Sequence, residues 1–290
     1  MTAPDGTGRR DPAEREVSGQ SIEPVSRERA GNIPIARRIA FRDARLGTPP
    51  PSSENGHIMS AREDHARWHA ARERAVAAPT GNLALVETRW TGARTDFGAA
   101  QASAAPTVQV TEIERTDIDT GEPQHGLRFW DAASPAIGAF ERIDTYDYDP
   151  DWVIDGTFRP VEASRTVPFE HIRDNGGTRD LIVPGDITAT IGGVERSLAA
   201  FDDGGKLLLV FGDTTNGVET YGPGRFLFVQ HVEGDPHAVV LDFNRAFVPP
   251  CGFSAQYNCP LPPTSNRFEV PVRAGEKSVV FRDGFDIYAA

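Results

Sequence analysis

The chain has 290 residues, a net charge of −12 and 39% hydrophobic residues, a polar composition that still suits a globular protein. Its first 60 residues are nearly neutral, so the remainder is strongly acidic and lacks the Lys and Arg surface that binds a nucleic-acid backbone. It contains neither an apolar run of the roughly 18 residues that span a membrane nor the apolar core of a secretion signal. We therefore expect a cytoplasmic protein with neither nucleic acid nor a membrane as a partner.

The N-terminal segment, residues 1–58, is predicted to be disordered. It has few aromatic residues, mixed charges and the run PPPSSENG (Pro49–Gly56), a composition that buries too little apolar surface to offset chain entropy. Within it, Ile35–Leu46 spaces apolar residues at helical intervals and favours a transient basic helix. Residues 59–290 are predicted to form a single folded domain.

A helix is predicted to begin at Ser60 and to end at Pro79. Ser60 and Glu63 match the S-x-x-E capping box, in which each side chain accepts a hydrogen bond from the backbone N–H of the other residue. The apolar residues that recur at helical spacing are Trp68, Ala71, Ala75 and Val76. This stripe favours a helix that lies across one end of a sheet.

From Leu83 onward the pattern is one of short β runs separated by Gly, Pro and Asp. The candidate strands are LALVETRW, TVQVTEIE, LRFW, WVIDGTFRP, GDITATI, ERSLAAF, KLLLVFG, RFLFVQHVE and AVVLDF. DDGG (Asp202–Gly205) and EGDP (Glu233–Pro236) predict tight hairpin turns that place Gly at positive φ. We therefore predict a mainly all-β domain, an antiparallel meander closed into a barrel or folded into a sandwich, with one N-terminal helix.

Two patterns resemble metal sites but are incomplete. In DTYDYDPDW (Asp144–Trp152) three Asp alternate, yet an EF-hand loop would need Gly and Glu where Trp152 and Phe158 stand. His231 and His237 flank a hairpin turn, where histidines are usually exposed, and a metal site would require a carboxylate as well. The sequence predicts no metal site and no cofactor.

Cys251 and Cys259 are the two thiols of the chain. They are too few for a structural zinc site, which takes four ligands, and in a reducing cytoplasm we expect both to remain free. Cys251 would need a neighbouring base to act as a nucleophile, and no cysteine-protease pattern surrounds it. A buried packing role is the alternative that this pattern favours.

The segment Asp242–Asn266, DFNRAFVPPCGFSAQYNCPLPPTSN, is the most distinctive part of the sequence. Its proline residues fix φ and remove backbone donors, so the loop is rigid and holds side chains in fixed positions. Strand alternation through AVVLDFNRAF places Asp242 and Asn244 on one face. These polar groups either line a ligand pocket or brace the loop through bonds to its backbone.

The turn ETYGPGRF (Glu219–Phe226) is predicted to form the other half of the same site. Tyr221 and Arg225 would project toward the same end of the sheet. Arg225 offers a planar fork to a carboxylate or phosphate, or pairs with Asp242 or Glu219. The GPG sequence lacks the spacing and the Lys-Ser/Thr pair of phosphate-binding glycine loops.

Together, TYGPGRF and VVLDFNRAFVPPCGFSAQYNCPLPPTSNRFEVPVRAGEK resemble the core of a bacterial and archaeal family, the domain of unknown function 1684. WHAARERAVAAPTGNLALVETRW, DYDPDWVIDGTFRP and LLLVFGDTTNGVETYG resemble its earlier parts, so the resemblance covers about Arg67–Asp283. Gly212 stands where the family leads us to expect Arg, which argues against a charge-dependent role for that turn. The polar positions that the resemblance implies are Asp213, Thr215, Tyr221, Arg225, Asp242, Asn244, Arg245, Cys251, Cys259, Asn266, Glu276 and Lys277.

Two functions are compatible with this region. The first is a site, enzymatic or not, for a small anionic or polar ligand, with Asp242 as the candidate catalytic acid or base. The residues that would contact the ligand are Tyr221, Arg225, Asn244, Arg245, Cys251 and Asn266. The second is a non-catalytic binding or interaction module in which the same side chains only brace the Pro-rich loop. A pocket lined by free Asp242 and Asn244 side chains would favour the first, and side chains bonded to loop backbone would favour the second.

Overall fold

The computed structural model describes residues 60–92, 96–161, 165–174 and 176–289. The predicted disorder of residues 1–58 and the predicted helix at Ile35–Leu46 fall outside these ranges. None of the helices in the described part of the chain has the length and apolar character needed to cross a bilayer.

The described residues form three α-helices and thirteen β-strands, numbered here in chain order. The helices are α1 (Ala61–Val76), α2 (Phe97–Ser103) and α3 (Pro135–Ala139). The strands are β1 (Leu85–Gly92), β2 (Val108–Thr116), β3 (Pro123–Asp131), β4 (Phe140–Thr145), β5 (Val153–Pro160), β6 (Thr166–Glu170), β7 (Thr178–Ile182), β8 (Gly185–Ile191), β9 (Val194–Asp203), β10 (Lys206–Phe211), β11 (Arg225–Val232), β12 (Asp235–Asp242) and β13 (Glu276–Phe281).

Six strands close into an antiparallel barrel in the order β10, β11, β12, β5, β8 and β9. Strands β8 to β12 follow one another as a meander, and β5 closes the barrel by pairing with β12 on one side and β8 on the other. The barrel interior is apolar, with Ile187, Leu209, Leu227 and Leu241 each at most 1% exposed. The predicted mainly β class is confirmed, and the barrel is the form that it takes.

Both predicted hairpin turns join strands of the barrel. Asp203 pairs with Lys206 across the β9–β10 turn, whose two central residues, Gly204 and Gly205, have φ of 68° and 91°. Positive φ at both positions gives the turn whose twist matches that of the flanking strands. In the β11–β12 turn Gly234 has φ of 83°, whereas Glu233 before it is not at positive φ.

Three smaller sheets surround the barrel. They are the three-stranded sheet β1–β3–β2 and the pairs β4–β13 and β6–β7. A second apolar cluster lies between the outer barrel face, including Leu208 and Val210, and residues such as Trp130, Phe169 and Cys251. Strand β10 is therefore buried on both faces, which explains its continuous apolar sequence.

Helix α1 begins with the predicted capping box between Ser60 and Glu63. Its contact with the barrel end is mainly polar. The predicted apolar stripe is only partly buried, and Val76 is its one fully buried member. His65 Nε2 instead bonds the carbonyl oxygen of Asn244 at 2.9 Å, and burial lowers the pKa of His65.

Strand β12 ends before the alternation through AVVLDFNRAF predicts. It ends at Asp242, and Phe243–Arg245 form a 3-10 turn whose first N–H groups need acceptors. Asp242 Oδ1 supplies one by accepting from Asn244 N at 3.1 Å. The predicted alternation through Asn244 is therefore wrong, because the capping carboxylate ends the strand before the pattern can continue.

Candidate functional site

Asn244 is fully buried and clamps a distant loop to the end of the barrel. Its Oδ1 accepts from Asp149 N at 2.8 Å, and its Nδ2 donates to Asp149 O at 2.9 Å. The same Nδ2 also donates to Asp242 Oδ1 at 3.0 Å. The alternating Asp segment is thus held through its backbone by an amide side chain.

Asp242 and Arg245 are partly exposed and engaged with each other. Asp242 Oδ2 lies 3.3 Å from Arg245 Nε. Arg245 also pairs with Asp64 of α1. The carboxylate that was the candidate acid or base therefore caps the 3-10 turn through one oxygen and meets a guanidinium through the other.

Arg225 is completely buried at the start of β11. Its Nη2 donates to Asp213 Oδ2 at 2.9 Å and to Val272 O at 2.7 Å. Its Nη1 donates to Ala274 O at 2.6 Å and to Glu276 O at 3.1 Å. The guanidinium thus fixes the 272–276 segment against the barrel and neutralises a buried carboxylate.

Asn266 bridges two barrel strands from the end of the Pro-rich segment. Its Nδ2 donates to Ala199 O at 2.7 Å and to Val210 O at 2.8 Å. Its Oδ1 accepts from Ala199 N at 3.0 Å. This fully buried amide makes bonds that a strand would otherwise supply, because it satisfies backbone groups of β9 and β10.

Glu276 joins α1 to the same region. Its carboxylate is buried, accepts from Val248 N at 2.8 Å and pairs with Arg72 Nε at 3.1 Å. Burial raises the pKa of Glu276, while Arg72 and the Val248 N–H act in the opposite direction. Arg72 Nη2 also donates to Val248 O at 2.8 Å. The Arg72–Glu276 pair therefore joins α1 and the start of β13 to the Pro-rich segment at Val248.

Tyr221 and Cys251 belong to a small group of thiols and hydroxyls. The Tyr221 and Tyr288 hydroxyls lie 2.9 Å apart, and Tyr288 donates to Cys251 O at 2.9 Å. Burial raises the pKa of Tyr221. The Cys251 N–H points to Cys259 Sγ at 3.3 Å, so the two thiols lie side by side.

A shallow cavity of about 170 Å³ opens beside these braces. It lies where the 212–216 turn, the Gly222–Pro223 pair and the end of the Pro-rich segment meet. The residues that line it are Gly212, Asp213, Thr214, Asn216, Gly222, Pro223, Pro262, Arg267 and Phe268. The sequence predicts neither Thr214 nor Arg267 as a site residue, although Arg267 directly follows Asn266.

Hydrogen-bond donors without partners are found around this cavity. Arg267 Nε donates to Pro262 O at 3.1 Å, but within the described residues its two terminal nitrogens bond to nothing. The main-chain N–H groups of Thr214 and Gly222 also have no acceptor in the described part of the chain. Asp213, the one acid among the lining residues, is already paired with Arg225.

Gly212 keeps one wall of this cavity open. A Cβ at this position would meet Asn216 Oδ1 at 3.3 Å and Pro262 Cγ at 3.5 Å. The Arg that the resemblance leads us to expect here would extend from the same wall. The substitution to Gly thus adds space beside Arg267.

Across the described residues, no group of three or more His, Cys, Asp or Glu side chains is arranged to hold a metal ion. His231 packs edge-on against the Phe158 ring at 5.0 Å between centroids. His237 Nδ1 lies 3.3 Å from Phe158 O. The two histidines are thus each engaged with the same barrel residue.

The fold and its braces define an antiparallel β-barrel domain with a locked Pro-rich segment. Residues 138–277 match the family model described as "Protein of unknown function (DUF1684)", and the chain belongs to this family. The family resemblance drawn from the C-terminal motifs is confirmed.

One solved structure with a related sequence is the solution NMR structure of an uncharacterized protein of Haloarcula marismortui. It is 31% identical over 48% of this chain and 77% of that chain, with a TM-score of 0.39. No curated protein matches the sequence. The names of the family and of the Haloarcula protein state neither an activity nor a ligand.

Proposed function

We propose that the domain is a non-catalytic binding module that takes a small anion in the cavity beside Arg267. The observation that carries this proposal is the grouping of donors without partners at one concave surface. The Arg267 guanidinium, whose two terminal nitrogens have no partner in the described part of the chain, matches the fork geometry of a carboxylate, phosphate or sulfate. Two nearby free N–H groups, on Thr214 and Gly222, add donors of the kind that bind anions in backbone concavities.

The size of the cavity limits the ligand. Pockets for drug-sized molecules typically measure about 300–1,000 Å³. The cavity here, of about 170 Å³, suits an anion of a few atoms or the charged end of a larger molecule. Because the protein carries a net charge of −12, long-range repulsion opposes anion binding, and added salt would weaken both that repulsion and the local attraction.

The absence of catalysis is supported by how the other candidate residues are used. Asp242 caps a turn and forms an ion pair with Arg245. The side-chain amide of Asn244 donates hydrogen bonds to a backbone carbonyl and to Asp242. Arg225 and Asn266 are fully buried among carbonyl groups. A general acid or base must reach a substrate proton, and these contacts favour the bracing alternative over that role.

The test is a calorimetric titration of the purified chain with inorganic phosphate at constant ionic strength. Loss of a charged hydrogen-bonding partner costs about 1.5–3 kcal/mol, so Arg267→Gln should weaken binding at least about tenfold. Arg159→Gln is the matched control, because Arg159 is also exposed but lies on β5 away from the cavity lining. We expect the control to bind within about twofold of the unchanged chain.

A second variant tests the cavity itself. Gly212→Leu places an apolar side chain into the open wall without adding charge, and should abolish phosphate binding. Because the larger side chain costs about 1–3 kcal/mol of stability, thermal unfolding confirms that the variant is folded at the temperature of the titration. Unaltered phosphate affinity in both Gly212→Leu and Arg267→Gln would contradict the proposed site. No detectable binding by the parent chain would contradict the proposed ligand class.

A further inference from the structure

Two thiols face each other in the interior of the second apolar cluster. Cys251 and Cys259 are 1% and 2% exposed. Cys251 N donates to Cys259 Sγ at 3.3 Å, so the backbone of one cysteine contacts the sulfur of the other. Cys251 lies in the 3-10 turn Pro250–Gly252, and Tyr257 N donates to Ser254 O at 3.4 Å within the segment that joins the two cysteines.

The surroundings of these thiols are more polar than simple packing requires. The Tyr221 hydroxyl lies 2.9 Å from the Tyr288 hydroxyl, which donates to Cys251 O at 2.9 Å. Arg128 stacks its guanidinium over the Tyr257 ring at 5.1 Å, and its buried Nε has no partner among the described residues. Arg128 and Cys259 interact electrostatically, and among the described residues this cation has no carboxylate partner. Positive charge near a thiol favours the thiolate, which is the reactive form.

The two sulfur atoms are not equivalent. The interaction with Cys259 lowers the pKa of Cys251, whereas burial raises the pKa of Cys259. The backbone of Cys251 also contacts the half-exposed Tyr288. Cys251 is therefore the thiol placed to react first, and Cys259 the thiol placed to resolve its reaction product.

One tyrosine covers this pair. Tyr288 is 54% exposed, yet its hydroxyl bonds both the Cys251 carbonyl and the Tyr221 hydroxyl. It sits near the end of the chain, beyond the last strand, on a turn in which Tyr288 N bonds Asp286 Oδ1 at 2.8 Å. Tyr288 thus contacts the backbone of Cys251 from the surface and from outside the barrel strands.

We propose that Cys251 and Cys259 form a reversible dithiol–disulfide site, oxidised by a small hydroperoxide and covered by Tyr288. The Cys251 thiolate attacks one peroxide oxygen, the O–O bond breaks, and an alcohol or water leaves after taking up a proton. Cys251 is then a sulfenic acid. The Cys259 sulfur attacks it, the S–S bond forms, the S–O bond breaks, and the departing hydroxide takes the Cys259 proton as water. Two thiols and one hydroperoxide thus give a disulfide, an alcohol and water.

This site is independent of the anion cavity, because it uses different residues and a different chemistry. Its structural competitor is a pair of inert cysteines that only fill the core. The two alternatives differ in what happens when the folded protein meets an oxidant. A packing pair stays reduced until the chain unfolds, whereas a redox pair closes within the native state.

The experiment exposes the folded chain to hydrogen peroxide, quenches the reaction, and then unfolds and alkylates the protein for mass spectrometry. We expect the intact mass to fall by two hydrogens and both cysteines to resist alkylation. Dithiothreitol should restore the original mass and the alkylation of both cysteines. In Cys259→Ser the reaction should stop at Cys251 sulfenic acid, which dimedone traps. Full alkylation of both cysteines after peroxide, or a disulfide only in unfolded protein, would overturn the proposal.

The role of the cover has its own comparison. Tyr288→Phe removes the hydroxyl that bonds Cys251 O and the Tyr221 hydroxyl, and should speed disulfide formation at least about fivefold, the equivalent of one of the two hydrogen bonds lost. Tyr146→Phe is the control, since its hydroxyl bonds Glu219 at 2.9 Å instead. Circular dichroism melting confirms that each variant is folded. Equal rates in the two variants would overturn the assignment of Tyr288 as the cover.

Discussion

The guanidinium of Arg225 is enclosed by the barrel end and by the 272–276 segment. Four acceptors bind its terminal nitrogens, among them the buried Asp213, and the Phe211 ring lies 5.2 Å from its central carbon. Removing one member of a buried ion pair is costly, because the remaining charge stays out of water without a partner to compensate it. Arg225 therefore acts on stability in a way that its sequence context, GPGRF, does not reveal.

We expect Arg225→Met to lower the free energy of unfolding by about 3–5 kcal/mol, since it strands the Asp213 carboxylate. Urea unfolding followed by fluorescence measures this loss. Arg273→Met is the control, because Arg273 makes an exposed pair with Glu219 and such pairs contribute at most about 1 kcal/mol. Losses of similar size in both variants would show that Arg225 is not a structural brace.

His65 gives the fold a pH dependence. Burial lowers its pKa below the ordinary 6.5, with weaker opposing effects from its bond to Asn244 and from Asp242. The unfolded chain therefore binds a proton in a pH range where the folded chain does not. The stabilisation is present above the unfolded pKa and is lost as pH falls through the depressed folded pKa.

In His65→Gln the decline of stability between about pH 7 and 5 should be shallower than in the parent chain. Chemical unfolding at a series of pH values measures the slope. His231→Gln serves as the comparison, because His231 is exposed on β11. The raised pKa of Glu276 adds an opposite slope, but it is common to all three proteins and cancels. If the unfolding free energy of His65→Gln fell with pH as steeply as that of the parent chain, His65 would not be the source of this pH dependence.

At the scale of elements, Gly275 fixes how the segment before β13 meets the end of the barrel. It has φ of 78°, and a Cβ there would lie 2.5 Å from Ala246 O and 2.7 Å from Phe243 O. Backbone atoms of the 3-10 turn after β12 therefore exclude any side chain. Gly193, in the β8–β9 turn, has nearly the same φ of 79° with open space around it.

This pair of glycines separates backbone strain from steric overlap. Gly193→Ala should lower the unfolding free energy by about 1–2 kcal/mol, the cost of left-handed backbone alone. Gly275→Ala should lower it by a further 1–3 kcal/mol or so, because the barrel end must shift to admit the methyl group. Thermal and urea unfolding of both variants measure the difference. Equal losses would mean that the segment is free to move away from the turn.

The elements that could be predicted from sequence are those with local signals. The capping box of α1, the turn glycines and the apolar runs of the barrel strands indicated their structures directly. Strands β4 and β13 were missed because FERIDT and EKSVVF have weak alternation and pair with each other across about 130 residues. The end of β12 was misplaced because side-chain capping by Asp242 overrides the strand pattern.

At the scale of the whole molecule, closure of the barrel brings the cavity together. Its walls come from the 212–216 turn, Gly222–Pro223 and Arg267. An isolated β-bridge between Gly212 and Arg267 joins the first of these walls to the last. No local sequence pattern marks Arg267, because the lack of acceptors around its terminal nitrogens in the described residues depends on the tertiary structure. The sequence could locate the region of the site. Which of its side chains brace the loop depends on hydrogen bonds and ion pairs between residues that are far apart in the sequence.

The central claim is that Asp242 and Asn244 brace the loop while anion binding takes place beside Arg267. Phosphate titration followed by two-dimensional amide NMR tests it most directly, because each N–H reports its own surroundings. We predict saturable shifts at the Thr214 and Gly222 amides and at the Arg267 side chain, with Asp242 and Asn244 unchanged. Shifts centred on Asp242 and Asn244, with Thr214 and Gly222 unaffected, would contradict the account.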